Sequence, residues 1–228
     1  MKKFLTIAAF MLLTISSAYA VDGRMGVTLK AGYFEADEAS EIFSGAHSSG
    51  ASPGTVTKNA SAEGDVAEGE FGYASIFAEV MANDKFAIGV DYVPMALETE
   101  STSNEQTTTT SSATGNNTVQ IDFEDLTTIY GLFFATENIY LKAGYVQVDV
   151  KTNENLATGG AYGDTSLDGY TVGLGFNNDM DNGMFVRFEA AVMDLDGATL
   201  VNKNDANKKV TAEGIEGVSA SLSVGKTF

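Results

Sequence analysis

The chain of 228 residues has no cysteine, two prolines and a single histidine, and its 31 acidic residues outnumber 13 basic ones. Without cysteine there is no disulfide framework to staple a small fold. So few bases on a chain of formal net charge -18 exclude nucleic acid as a partner, because phosphate binding needs Lys and Arg in number. Beyond residue 20 there is no apolar run approaching the roughly 20 residues that a membrane-crossing helix requires. A membrane protein with this sequence must therefore be a closed β-barrel, the other structure that satisfies every backbone group in lipid.

The one sustained apolar run comes first. Lys2 and Lys3 precede apolar residues 4–15, and Ala18-Tyr19-Ala20 has the small-residue form of a cleavage site. This pattern predicts an export signal over residues 1–20. Its removal takes away two lysines and no acid, leaving a still more acidic chain over residues 21–228, whose even composition suits one β domain.

What remains is organised by alternation of period two, most plainly in residues 217–228. Val218, Ala220, Leu222 and Val224 fall on one side, against Ser219, Ser221, Ser223 and Gly225 on the other. A face of Ser and Gly is too small and polar to fill a hydrophobic core, so the apolar face must look at something other than the protein's own interior, and lipid is the simplest candidate. The same alternation predicts strands over residues 26–34, 71–80, 85–95, 119–135, 139–150, 168–176 and 184–193. Residues 119–135 carry Thr128, Tyr130, Leu132 and Phe134 on one side, and a second side with Ile129, Gly131 and Phe133 that is nearly as apolar; the first is taken as outward by analogy with its neighbours. Past Tyr145 the apolar positions change parity to Val146, Val148 and Val150, which predicts either a bulge or the end of the lipid-facing segment.

The connections alternate between long and short. Residues 35–70, 96–118, 151–167 and 194–213 form long polar stretches, whereas 81–84, 136–138 and 177–183 are tight turns. Outer-membrane barrels have this rhythm of external loops and periplasmic turns. The predicted inward faces carry Lys30, Glu79, Asp91, Lys142, Arg187 and Glu189. These are three bases and three acids, expected to pair across the lumen, with Lys30 and Glu79 on adjacent strands as one such pair. Tyr33, Tyr92, Tyr145 and Tyr170 are expected to form one interfacial girdle, and Phe86, Phe134, Phe176 and Phe228 the other.

Eight strands, the export signal, the loop rhythm and the closing aromatic Phe228 together resemble the small bacterial outer-membrane barrels typified by OmpX and the membrane domain of OmpA. The resemblance implies an all-β fold, an eight-stranded antiparallel transmembrane up-and-down barrel. It also implies that Phe228 is an assembly signal read by the barrel-assembly machinery. Lys226 stands third from the end, where that family more often carries an aromatic or apolar residue, and is placed to snorkel to the headgroups. No further domain follows Phe228 in the sequence given.

Chemistry-bearing motifs are sparse. His47 lies beside Ser48 and Ser49 in a polar stretch without a readable Asp/Glu, His and Ser spacing, so no catalytic residue is expected. The runs 179–183 and 194–197 resemble fragments of calcium loops but lack the alternating ligands and closing Glu; turn formation by Asp, Asn and Gly accounts for them, and no metal or cofactor is expected. The expected role is non-enzymatic: a structural or surface-interaction protein working through acidic external loops. Its expected partners are outer-membrane lipid and lipopolysaccharide, with no surface ligand legible. A small channel, a lipid-modifying barrel enzyme and a soluble exported binding barrel are the alternatives.

Overall fold

The computed structural model describes residues 22–36, 39–43, 55–59, 67–107, 114–157 and 160–228. The expected export signal at residues 1–20 and His47 lie outside them. Strands form wherever period-two alternation predicts them, and several run further. They are β1 (Gly23–Ala36), β2 (Ala39–Phe43), β3 (Thr55–Asn59), β4 (Ala67–Asn83), β5 (Phe86–Tyr92), β6 (Leu97–Glu98), β7 (Thr102–Thr107), β8 (Thr114–Phe134), β9 (Ile139–Leu156), β10 (Thr165–Asp179), β11 (Met184–Val201) and β12 (Lys208–Thr227).

Eight of them close a ring in the order β1, β4, β5, β8, β9, β10, β11, β12, with β12 pairing back onto β1. Every pair is antiparallel. Cross-strand partners followed once round the wall run Tyr33, Val218, Val192, Val172, Ala143, Gly131, Ile88 and Val80, then reach β1 again at Gly23, ten residues from the start. That stagger tilts the strands by about 40° and leaves an interior just wide enough for side chains.

The two faces are inverted relative to a soluble protein. Leu29, Ile88, Leu174, Phe188 and Val218 point outward and are exposed, whereas Glu79, Asp91, Lys142 and Arg187 point inward and are buried. The expected facings hold on β1, β4, β5, β9, β10, β11 and β12. On β8 the facing is reversed. Tyr130, Leu132 and Phe134 are buried inside, while Ile129 and Phe133 face out. Phe133, rather than Phe134, therefore completes the turn-side aromatic row, its ring 5.1 Å from that of Phe86.

The bulge anticipated on β9 lies on its neighbour instead. Register slips between Glu124 and Thr127 of β8, where Asp125 takes a left-handed φ of 53°. Asp tolerates that region better than most residues. The extra residue lets Phe123 and Leu126 both turn inward. On β9 the ladder to β10 runs unbroken from Ile139 to Val150. Val146, Val148 and Val150 are buried in the lumen, and Gln147 and Asp149 occupy the outer face beyond Tyr145, so the lipid-facing stripe simply ends.

Long stretches predicted as loops also carry strands. β6 and β7 pair with the upper part of β8, β2 pairs with residues 208–212 of β12, and β3 with β2. Residues 194–201 continue β11 rather than turning. These segments stand above the lipid-facing belt. A polar strand there needs no core, because a ladder edge already held by the barrel supplies its backbone partners. The Thr residues that make residues 102–118 read as low complexity are themselves good strand formers.

Candidate functional site: a filled lumen

Parity puts every predicted lumen charge in one place. Lys30, Glu79, Asp91, Lys142, Arg187 and Glu189 all line a single cavity of about 20 Å³ near mid-barrel. That is room for about one water.

The strongest anchor is Glu79. Its Oε2 accepts from Arg187 Nη2 at 2.7 Å, and its Oε1 from Arg187 Nη1 and, at 2.8 Å, from the Tyr130 hydroxyl. Arg187 Nε donates to Asn177 Oδ1 at 2.8 Å. The guanidinium also lies 4.6 Å from the Phe185 ring centre and 5.4 Å from that of Tyr140. A second pair sits alongside: Lys142 Nζ donates to Glu189 Oε1 at 3.0 Å, and the Tyr140 hydroxyl to Oε2 at 2.9 Å. Lys142 lies 4.4 Å from the Tyr130 ring centre, which ties the two pairs together. Asp91 accepts from Ser75 Oγ at 2.8 Å, and Thr28 and Ser223 share a hydrogen bond at 2.8 Å.

The expected pairing of Lys30 with Glu79 does not form. Register sets Lys30 opposite Tyr73, whose ring centre is 5.5 Å from the ammonium, and sets Arg24 opposite Glu79. Glu79 instead reaches across the lumen to β11.

Sequence reasoning missed the uncharged partners Tyr130, Tyr140 and Asn177, and it missed Arg24 because the first strand was expected to begin at residue 26. Arg24 is in phase with Thr28 and Lys30, so extending the alternation by two residues would have found it. Its guanidinium lies 5.4 Å from the Phe185 ring centre and 5.7 Å from that of Phe134, and Nη2 is 3.4 Å from Asp179 Oδ2. Nε and Nη1 are buried without a hydrogen-bond partner. These groups form the turn-side floor of the lumen.

Towards the long hairpins the interior changes character. Val93, Leu126, Val146, Val148 and Leu195 form a buried apolar layer, joined by Tyr73, Phe123, Leu167, Met193 and Ile215. A second cavity of about 10 Å³ lies against it, lined in part by Lys30, Tyr73 and Leu126. Three layers of side chains thus stack along the lumen: an aromatic and arginine floor, an ion-pair network and an apolar layer.

Packing in the network depends on missing side chains, Gly89 against Tyr130 and Gly175 against Tyr140 among them. A Cβ at Gly175 would overlap the Tyr140 ring. Gly175→Ala should therefore displace Tyr140 from Glu189 and lower stability by about 1–3 kcal/mol, the usual cost of overpacking, read as a fall in the urea-unfolding midpoint.

The acidic motifs on the outer side serve as local fasteners. Asp194 accepts the Tyr170 hydroxyl at 2.6 Å and Asp125 that of Tyr92 at 2.6 Å. Leu195, in the supposed calcium-loop fragment, points into the apolar layer. Residues 179–183 do form a turn, closed by Met180 N donating to Met184 O at 2.8 Å, with Gly183 at a φ of 78°. Above the membrane belt Lys151 Nζ donates to Asp164 Oδ2 at 2.9 Å. That bond raises the lysine's pKa above its ordinary value and, with the Thr152 N–H, lowers that of Asp164. At the closing seam Phe228 N donates to Gly23 O at 2.8 Å, and Lys226 lies 5.8 Å from the exposed Phe228 ring centre.

The sequence matches no protein-family model and no curated protein. Among solved structures it resembles the outer membrane protein OprG of Pseudomonas aeruginosa, with a TM-score of 0.50 at 12% identity, over 92% of this chain and 96% of that one. The chain folds as an eight-stranded outer-membrane β-barrel. Ail of Yersinia pestis, in complex with the heparin analogue sucrose octasulfate, matches at a TM-score of 0.39 and 11% identity, over 90% of this chain and 99% of that one. CarO2 of Acinetobacter baumannii matches at 0.34 and 11% identity, over 86% and 99%. At 12% identity the likeness to OprG speaks for the barrel and not for its activity.

Proposed function

We propose that this barrel is a closed, non-enzymatic outer-membrane protein whose role is structural or surface-interacting, carried by the acidic hairpins above the belt. The observation that carries this reading is the filled lumen: a buried ion pair reaching across it from β4 to β11, a second pair between β9 and β11 beside it, and an apolar layer over them. A conducting pore keeps its charges separated and wetted, whereas here both buried carboxylates of the two pairs are spent on bases and tyrosine hydroxyls. What is free to meet a partner is the outer rim, where Glu98, Glu100, Glu105 and Glu213 are exposed. In this reading residues 1–20 direct export, Phe228 serves as the assembly signal, and lipid and lipopolysaccharide surround the wall.

The test is solute permeability of liposomes carrying the folded protein. Osmotic swelling in small sugars should match that of empty liposomes. Swelling that increases with protein load would favour the small-channel reading instead.

A further inference from the structure

The outer wall carries a measurement of the membrane it fits. On β5, β9 and β10 the outward apolar stripe has four residues: Phe86, Ile88, Val90 and Tyr92 on β5, and the equivalents over residues 139–145 and 170–176. Six residue steps at about 3.4 Å, on strands tilted about 40°, rise only about 16 Å. The longer stripes on β1, residues 25–33, and β11, residues 184–192, reach about 21 Å on the same reckoning. The apolar band of such barrels is ordinarily about 25 Å tall.

Both limits of the stripe are fixed. At the outer end the next outward residue is Glu35 on β1, Asp168 on β10, Asp194 on β11 and Glu216 on β12. Tyr92 and Tyr170, which end their stripes, have their hydroxyls bonded to Asp125 and Asp194, so the polar boundary begins at the tyrosines themselves. At the other end the stripes stop at the Phe86, Phe133 and Phe176 row and the turns beyond it. A thicker hydrocarbon layer would have to immerse carboxylates or turns, and a closed barrel of fixed stagger cannot lengthen to prevent it.

We propose that the wall fits a bilayer with a hydrocarbon layer of about 16–21 Å, thinner than the roughly 25 Å of a standard barrel belt, and that it thins any thicker membrane around itself. The partner is thus short-chain or locally compressed lipid, and this holds whether or not the lumen conducts.

Equilibrium urea unfolding of the whole protein in vesicles of didecanoyl, dilauroyl, dimyristoleoyl and dipalmitoleoyl phosphatidylcholine tests it. The folded-to-unfolded ratio at fixed urea should be highest in the two shorter lipids and fall at least about tenfold by the longest, because mismatch costs a fraction of a kcal/mol per Å. The variant Asp168→Leu/Asp194→Leu/Glu216→Leu extends three adjacent stripes by one outward residue and should move the optimum to a longer lipid. Stability that rises with chain length to the longest lipid, or is the same in all four, overturns the proposal. Should the variant fail to fold, the series with the unmodified protein decides alone.

Discussion

Arg187→Ala should cost this barrel about 3–5 kcal/mol, the range for removing one partner of a buried ion pair. The loss does not come mainly from the attraction forfeited. It comes from Glu79, which is 1% exposed and would be left buried with the Tyr130 hydroxyl as its remaining donor. Asn177 Oδ1 would lose its donor as well. Adding Glu79→Gln to Arg187→Ala should recover part of the stability, because a neutral amide no longer needs a counter-charge. Urea-unfolding midpoints of the two variants against the unmodified protein check this. A loss below about 1 kcal/mol for Arg187→Ala, the range of a surface pair, would mean that the lumen is wet enough to screen the pair.

Leu174→Arg should be costly for the opposite reason. Leu174 lies on the outer wall of β10, 55% exposed in the isolated protein. In a soluble barrel a charged residue at so open a position would change stability by no more than about 0.5 kcal/mol. In a bilayer the same side chain meets hydrocarbon, and arginine near the midplane of a barrel's outer wall costs about 2–4 kcal/mol. Unfolding in lipid vesicles reads the difference, and Val172, one outward position along the strand, offers a second site for the same substitution. A neutral result at both positions would contradict the lipid-facing assignment of this wall.

Much of the barrel was legible because lipid and a polar lumen impose opposite demands on neighbouring residues. β10 and β12 alternate Val, Leu and aromatic residues with Gly, Ser and Thr, and no other facing satisfies both sides. β8 was not legible in this way. Tyr130, Leu132 and Phe134 are as apolar as Ile129 and Phe133, and the lumen accepts them because Tyr130 also supplies a hydroxyl to Glu79. The bulge at Asp125 adds a parity change that no periodicity announces. The segments β2, β3, β6 and β7 escaped for a different reason: a polar strand held by the ladder edge of a longer one needs no alternation of its own.

Membership of the lumen cluster followed from parity, since each of the six charges belongs to a strand whose outward face is apolar. Partner choice did not follow. Pairing Lys30 with Glu79 assumes that adjacent strands bring them level, but the register offsets them and the closure of the ring brings β11 opposite β4. That juxtaposition depends on the ten-residue stagger of the whole barrel, which no local stretch of sequence encodes. Arg24 shows the converse: its position was encoded locally and lay just beyond where the strand was expected to start.

A non-conducting barrel requires the three layers in the lumen to be closed in the working protein. Single-channel recording from the purified, folded barrel in a planar lipid bilayer addresses this directly. The predicted result is a flat baseline in molar salt, with no protein-dependent current steps. Large, steady steps that appear with the protein and persist at constant voltage would contradict it, because ions would then be crossing the space that the Arg187–Glu79 and Lys142–Glu189 pairs and the apolar layer occupy.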